Sequence, residues 1–496
     1  RMGSTFLSAA TKGESDDEAK HKRPETSLHM SETMESTTED LISASNSFQN
    51  MMEELQKGGT TTTTTTQNKP MPFDPASLSE EDVLFLKKLL EGHTKSKFEM
   101  DSYWEEVRKP VDEATTIPPE VFRSQEFYDL EHKKILEKTW MCVGTSDQVR
   151  NNGDVMVTAA AGKPLIVTRA KDGEVRAFYN VCRHRGARLL SEEESGKKAC
   201  ISCPYHNWGY SLEGKLLGTP NWNSNPDGHK NSKPGTMMAN SGTVKNFSKE
   251  ENGLHPVRVE VWGPFVYVNL SGDAPPLKEY LGSVPGDLEA FPFDELITVK
   301  EDKFEVNANW KLLAENYIDF YHLSTVHPEY AQNSVPEDHI RAQGDGMYAG
   351  YVTYPLSNCG SPLDLDRFPV MPGLEGTKHE VTGWYQIHFP NMFFFLLPHS
   401  LFMVMLEPTS VGTSVEHCRL LVHKDGLEKM GDKATKAIED MWEFYYMVNT
   451  EDFEVCEKTQ IGIQADAFTG GRMVYAYEES LNRYHKMIAN CMTGVP

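Results

Sequence analysis

The 496-residue sequence predicts an α+β protein in which a small all-β domain precedes a larger domain that mixes strand and helix. Between Trp140 and about Leu270 the chain runs in short β-branched stretches, such as Val155-Met156-Val157, Leu165-Ile166-Val167 and Val266-Tyr267-Val268. Turn dipeptides Asn152-Gly153 and Asp172-Gly173 separate them, the signature of a compact β fold. Beyond about Asp273, strand-like runs alternate with long helical periodicities instead. Residues 1–75 stand apart, being poor in aromatics and rich in Ser, Thr, Glu and Lys. Such a segment buries too little apolar surface to offset about 1–2 kcal/mol per residue of backbone ordering.

Taken in order, residues 1–75, with an unbroken threonine run from Thr60 to Thr66, are expected to form a disordered low-complexity tail of the kind left behind a removed targeting signal. Residues 76–117 read as an N-terminal helical segment. Ser79 caps a helix through Val83, Leu86, Leu89 and Leu90, and Gly92 stops it. Residues 118–272 form the all-β domain. It opens on a helical stretch starting at Pro118, where Phe127, Leu130, Ile135 and Leu136 suit one buried face, and it carries an Asn-, Gly-, Ser- and Lys-rich insertion at 221–248. Residues 273–496 form the second domain. Helices are expected over Trp310–Tyr321, from Lys433 to about Ile463 and over Glu478–Cys491, and strands at Gly383–Phe389, Met392–Leu397 and His417–His423.

Charge and composition exclude several functions. With 73 acidic against 49 basic side chains the net charge is -24, which argues against nucleic acid as the main partner. The most apolar stretch, Met392 to Leu406, is broken by Pro398, His399 and Ser400, short of the ~20 apolar residues that span a membrane. The 8 cysteines are scattered, so a disulfide scaffold is not expected; a soluble protein of a reducing compartment, plastid stroma or cytoplasm, is.

Two constellations carry chemistry. Cys182-Arg183-His184 is followed, after 18 intervening residues, by Cys203-Pro204-Tyr205-His206. Structural zinc sites usually pair the two Cys together and the two His together. Here each loop supplies one thiolate and one imidazole, which suits a [2Fe-2S] cluster with both thiolates on one iron and both imidazoles on the other. In the second, Glu315, Asp319 and His322 are spaced i, i+4, i+7 and share one helical stripe, whereas His327, before Pro328, lies off it. A helix that ends or bends after His322 could bring both imidazoles to one metal. Two His and one carboxylate make the facial triad of non-haem Fe(II) oxygenases. The carboxylate must come from farther along, where Glu451, Asp452, Glu454 and Glu457 are candidates.

The run CRHRGA…CPYHNW resembles the Rieske cluster motif, with Trp208 matching the aromatic that shields the cluster. Respiratory Rieske proteins carry an extra Cys in each loop where this chain has Ala187 and Tyr205, and oxygenases of the family usually have Gly where it has Asn207. Cys200 reads as packing, not as a ligand. The pattern N-W-K…E-N-x-x-D-x-x-H-x-x-x-x-H is similar to the catalytic motif of Rieske non-haem iron oxygenases. That resemblance implies a helix-grip catalytic domain, an antiparallel sheet flanked by helices. It also implies a mononuclear Fe(II) held by His322, His327 and Asp452, with Glu451 the alternative to the last. Asp319 would bridge to a cluster His of the neighbouring subunit of a homotrimer, supported by Glu315.

The C-terminal pattern E-D-x-x-x-C-E-x-x-Q-x-G is similar to choline monooxygenase and related quaternary-amine oxygenases, although Ile461 replaces their usual Arg. A trimethylammonium group asks for aromatic faces, and Trp384, Tyr385, Phe389, Phe393, Phe394 and Phe395 are the expected source. The resemblance implies electrons from a ferredoxin or reductase, O2, and hydroxylation of choline to betaine aldehyde hydrate. Alternatives are N-demethylation of glycine betaine or a carnitine-like amine, an aromatic-ring dioxygenase α-subunit, and a redox carrier without catalysis. Arg183, Arg185 and Arg188, with Lys197 and Lys198, form a basic rim suited to an acidic ferredoxin.

Overall fold

The computed structural model describes residues 95–220, 246–328, 339–340, 344–354 and 368–495. The expected tail, the helix from Ser79 to Gly92 and most of the 221–248 insertion lie outside the described residues. From Ser96 onward the chain belongs to one compact unit.

The first layer is all β. Its strands are β1 (Met141–Thr145), β2 (Asp154–Ala160), β3 (Lys163–Arg169), β4 (Val175–Tyr179), β5 (Gly196–Lys197), β6 (Ile201–Ser202), β7 (Gly209–Tyr210), β8 (Leu216–Gly218), β9 (Pro256–Trp262) and β10 (Phe265–Asn269). Seven of them make an antiparallel sheet in the order β1-β10-β9-β4-β3-β2-β5, and β6-β7-β8 form a separate small sheet. The β-branched runs read from the sequence lie in β2, β3 and β10, and the Gly153 and Gly173 turns have φ of +96° and +85°. Beneath the small sheet, Val155, Ile166, Phe178, Trp208, Tyr210 and Leu212 make a core of their own.

The second layer is a seven-stranded antiparallel sheet of β11 (Leu296–Val306), β12 (His339–Ile340), β13 (Tyr348–Thr353), β14 (Gly383–His388), β15 (Met392–Leu397), β16 (Ser400–Ser410) and β17 (Thr413–His423), in the order β11-β17-β16-β15-β14-β13-β12. Strand alternation divides it. Trp384, Phe394, Met403 and Leu421 face Trp140, Phe265 and Tyr267 of the β domain. Tyr385, Phe395, Phe402 and Leu420 face the helices. Those helices are α1 (Gln125–Glu131), α2 (Trp310–Ile318), α3 (Leu323–Val326), α4 (Ala434–Gly462) and α5 (Glu479–Thr493). The long α4, close to its expected span, lies over the sheet and carries Met441, Tyr445, Asn449, Asp452 and Cys456 on its buried side.

Two differences from the expected elements have physical causes. The helix after Pro118 is broken: a 3-10 turn spans Pro119–Phe122, Ser124 then caps α1 by accepting from the Phe127 N–H (3.2 Å), and a π-turn follows over His132–Leu136. This segment packs against α2, whose Trp310 and Lys311 side chains donate to Glu131. The helix expected over Trp310–Tyr321 ends at Ile318, before His322, and Asp319 is extended (φ -79°, ψ 127°). Glu315, Asp319 and His322 therefore do not share a helical stripe.

Gln460 fixes the two helices that carry the site. Its Oε1 accepts from the backbone of Asn309, which caps α2, and its Nε2 donates to the Phe122 carbonyl. The next residue, Ile461, is 73% exposed, so its side chain points to solvent and away from the interior.

Candidate metal centres

The Cys/His loops form matched turns. In the first, the Cys182 N–H donates to Ala187 O (2.8 Å) and the Gly186 N–H to Cys182 O (3.0 Å). In the second, Cys203 N–H donates to Trp208 O (2.8 Å) and Asn207 N–H to Cys203 O (2.9 Å). Gly186 and Asn207 hold equivalent places with φ of +71° and +57°. Left-handed backbone favours Gly, and Asn next, because its short polar side chain tolerates the conformation. Buried Asn180 closes the base of the first loop, accepting from Leu189 and Leu190 N–H and donating to Leu190 O.

Cys182 and Cys203 are buried, whereas His184 is half-buried and His206 exposed. Burial pushes the Cys182 thiol up, against the Tyr210 hydroxyl 3.3 Å from its sulfur. The His184 and His206 Nδ1 atoms are 3.2 Å apart. That is close to the spacing of about 3.3 Å for two nitrogens bound at about 2.0 Å to one tetrahedral metal. Two buried sulfurs below and two converging imidazoles above fit a [2Fe-2S] group. Trp208 stacks on His184 (4.8 Å, 11°), and Tyr205, 58% exposed, lies on His206 with Arg185 over its ring. Cys200, expected to serve packing, is exposed.

The second centre lies between α2, α3 and α4. Asp319 accepts from the Tyr321 and His322 N–H groups (2.7 and 3.1 Å). Such side-chain capture of backbone amides competes with helix continuation and turns the chain. The turn places His322 and His327 around Asp452. One ligand atom from each of the three lies within 4.8 Å of the others, the one such group among the described residues. His327 Nε2 is 2.9 Å and His322 Nε2 3.5 Å from Asp452 Oδ1, to which the Asn316 amide also donates (3.1 Å). The outer ring nitrogens are held too: His322 Nδ1 by Asp319 (2.9 Å) and His327 Nδ1 by Glu451 (2.7 Å). Glu451 thus stands on the far side of the His327 ring. Glu315 meets His485 of α5 (2.8 Å) instead of the Asp319 carboxylate, which it supports only by accepting the Asp319 N–H on its backbone.

Burial pushes the His322 imidazole down, but its hydrogen bonds to Asp319 and Asp452 outweigh that and lift it to about 9. His327 is raised against burial by Asp452 and Glu451, and Asp452 is lowered against burial by the two imidazoles. A carboxylate and two imidazoles converging in a buried space, each with its outer nitrogen oriented, is the donor set of a mononuclear iron site.

A cavity opens beside these groups, lined by Tyr317, Tyr351, Tyr385, Phe395, Phe444 and Tyr445 as well as Asn316 and Asp319. Tyr351, Tyr385, Phe395 and Phe402 form a cross-strand row, register partners from β13 to β16. Of the six aromatics expected here only Tyr385 and Phe395 reach it. Trp384 and Phe394 lie on the opposite face of the sheet, and Phe389 and Phe393 are core, Phe393 stacking beneath Tyr317 (4.3 Å). The missed residues had a signal: Val448 and Tyr445 precede Asp452 by four and seven and share its helical face. A larger cleft between β1–β2 and β11, β16 and β17 is lined by charges that pair with each other, including Lys303–Glu192, Arg419–Glu301 and His417–Glu407.

Known proteins match both halves. The Rieske [2Fe-2S] domain model matches residues 139–241, and the ring hydroxylating alpha subunit (catalytic domain) model matches 293–494. The glycine betaine monooxygenase oxygenase subunit of Pseudomonas aeruginosa is 26% identical over 396 residues, 74% of this chain and 86% of that protein. The chloroplastic choline monooxygenase of Beta vulgaris is 29% identical, covering 76% and 77%, and the carnitine monooxygenase oxygenase subunit of Acinetobacter baumannii 28%, covering 73% and 89%. Among solved structures, the quaternary ammonium Rieske monooxygenase CntA in complex with L-carnitine aligns with a TM-score of 0.62 at 22% identity, over 80% of this chain and 99% of that one. Naphthalene 1,2-dioxygenase with indole bound aligns at 0.61 and 20% identity, over 79% and 95%.

Proposed function

The chain belongs to the Rieske oxygenases with a ring-hydroxylating α-subunit catalytic domain, and from that premise we propose that it hydroxylates choline to betaine aldehyde hydrate. Cys182, His184, Cys203 and His206 would hold the [2Fe-2S] cluster, and His322, His327 and Asp452 the mononuclear iron. When bound, the cluster supplies single electrons and the iron activates dioxygen for insertion into a C–H bond.

The observation that carries the substrate is the wall of Tyr317, Tyr351, Tyr385, Phe395, Phe444 and Tyr445. Aromatic faces attract a quaternary ammonium through the ring quadrupole. Glycine betaine and carnitine each carry a carboxylate that asks for a cationic partner. Among the described residues that line the cavity there is no Lys or Arg, which favours the uncharged hydroxyl of choline.

The remaining roles fall to the chain's own side chains. Asp319 orients His322 through Nδ1, leaving Nε2 for the metal, and Glu451 does the same for His327. Asp319 is only partly buried, and we assign it the bridge toward a cluster imidazole of a neighbouring copy in a homotrimer. A quaternary ammonium Rieske monooxygenase of similar fold transfers electrons between subunits. Electrons would come from an acidic ferredoxin at the rim where Arg185, Arg188 and Lys197 are exposed; Arg183 is instead tied to the Gly253 carbonyl. No helix among the described residues is long and apolar enough to cross a membrane, and the sparse thiols support a reducing compartment such as a plastid stroma.

Oxygen uptake with reduced ferredoxin, run on choline, glycine betaine, carnitine and naphthalene, tests this reading. Choline-dependent uptake with aldehyde as product is expected. Formaldehyde release from glycine betaine or carnitine, with choline inert, would replace hydroxylation by demethylation.

A further inference from the structure

Behind the aromatic wall stands an acid that the chemistry above does not use. On β17, Ser414, Glu416, Cys418, Leu420 and Val422 alternate toward the helices, and Glu416 is wholly buried. Its Oε2 accepts from the Asn449 amide (2.8 Å), while its Oε1 has no hydrogen-bond partner among the described residues. Tyr317, whose ring lines the cavity, donates its hydroxyl hydrogen to Asn449 Oδ1 at 2.9 Å, which sets that hydroxyl beside the Glu416 carboxylate. A buried carboxylate without a cation is costly, so such a group stays neutral until something compensates it.

We propose that Glu416 is the counter-charge for the quaternary ammonium, neutral in the empty pocket and ionised when the cation arrives behind Tyr317. This rests on the reading of the substrate as a quaternary amine. The groups around Glu416 leave no competitor for the role. Tyr317 faces it from α2, Asn449, Asp452 and Cys456 from α4, and Cys418 from its own strand. Its cross-strand partners, Phe304 on β11 and Leu406 on β16, are apolar, and Asp302 sits opposite Cys418. None of these is a cation. The carboxylates nearer the cavity, Asp319 and Asp452, are already engaged by His322 and His327. Burial raises Glu416 to about 7, within reach of the charge that a bound ligand would add.

The step is a proton equilibrium: the Glu416 O–H bond breaks, the proton leaves to solvent, and the carboxylate remains opposite the ammonium. Linkage makes the effect reciprocal, so cation affinity rises as Glu416 loses its proton.

The test is calorimetric, on the full chain loaded with iron and cluster, under anaerobic conditions. Choline, glycine betaine, carnitine and the uncharged choline isostere 3,3-dimethylbutan-1-ol are titrated in buffers of different ionisation enthalpy. The cation that binds is expected to release up to about one proton per site and to bind roughly threefold or more tightly at about pH 8 than at about pH 6. The isostere should show neither effect. Glu416→Gln should abolish both for the cation while leaving isostere affinity unchanged. Cation binding without proton release in the wild-type protein overturns the proposal, and that measurement needs no variant to fold. An unchanged pH slope in Glu416→Gln overturns it too. If no quaternary amine binds while the isostere does, the substrate reading itself fails and takes this inference with it.

Discussion

The carboxylate of Glu131 and the ammonium of Lys311 meet at 2.6 Å with neither side chain exposed to solvent. The Trp310 indole donates to the other carboxylate oxygen (3.0 Å), and the rings of Phe122, Phe127 and Trp310 surround the ammonium. The pair joins α1 to the first turn of α2, the helix that leads into the Asp319 turn. Lys311→Met would leave a buried carboxylate without its cation, which typically costs about 3–5 kcal/mol. Urea denaturation should show that loss. The double variant Glu131→Leu/Lys311→Met should recover most of it, because two apolar side chains strand no charge.

Asp319→Asn keeps one oxygen to accept from the Tyr321 amide (2.7 Å) and loses the second oxygen, which accepts from the His322 amide (3.1 Å), so the turn should persist on the shorter of its two bonds. It removes the negative charge and the preferred acceptor for His322 Nδ1. Iron content, about three per chain, and the cluster absorption spectrum should be retained, while product formation falls by about 10–100-fold or more. Metal analysis and product assay on one preparation separate this from misfolding. Full activity in the variant would remove Asp319 from the bridge.

Local features of the fold were the legible ones. The two Cys/His pairs declared themselves by spacing, and α4 by a long periodicity that the structure gives as Ala434–Gly462. The break in α2 was not legible at its true place. Asp319 at i+4 from Glu315 reads as one more helical polar position until its carboxylate is seen to capture two amides. Which aromatics face the cavity depended on strand register: a shift of one residue exchanges Tyr385 for Trp384. The Glu315–His485 and Glu131–Lys311 pairs join residues 170 and 180 positions apart, which no local pattern encodes.

Metal uptake should depend on pH in a defined direction. His322 lies at about 9 in the metal-free protein, above the ordinary imidazole value. Its ion pairs with Asp319 and Asp452 therefore stabilise the metal-free fold fully below about pH 6.5, and this stability is lost as pH rises through about 9. Fe(II) must displace that proton. Binding at neutral pH should release protons, and apparent affinity should climb with pH until about 9. Anaerobic Fe(II) titration with pH-stat detection reads both.

The two faces of the central sheet provide matched controls for the substrate pocket. Phe395 lines the cavity, whereas Phe394, the next residue, packs against Phe265 and His388 on the other face. Phe395→Ala should raise the KM for the quaternary amine by roughly tenfold, as expected for about 1–2 kcal/mol of cation–π attraction in a desolvated site. Phe394→Ala should leave KM unchanged and instead cost about 3–5 kcal/mol of stability through its cavity. Equal effects on KM would show that the aromatic row acts through packing alone.

Asn207 gives a prediction about the cluster loop that needs no substrate. It has φ +57° at the place where its twin loop has Gly186, and its N–H closes the turn on Cys203 O (2.9 Å). Gly adopts this conformation without strain, Asn with little, and a residue with a larger or apolar Cβ substituent at a cost of about 1–2 kcal/mol. Asn207→Gly should therefore leave the melting temperature and cluster occupancy close to those of the parent protein. Asn207→Val should lower both, because the strain falls on the turn that carries Cys203 and His206. The ordering Gly, Asn, then Val in cluster retention would establish backbone conformation, not side-chain contact, as the requirement at this position. An Asn in place of the family's Gly then leaves the reading of the cluster loops intact.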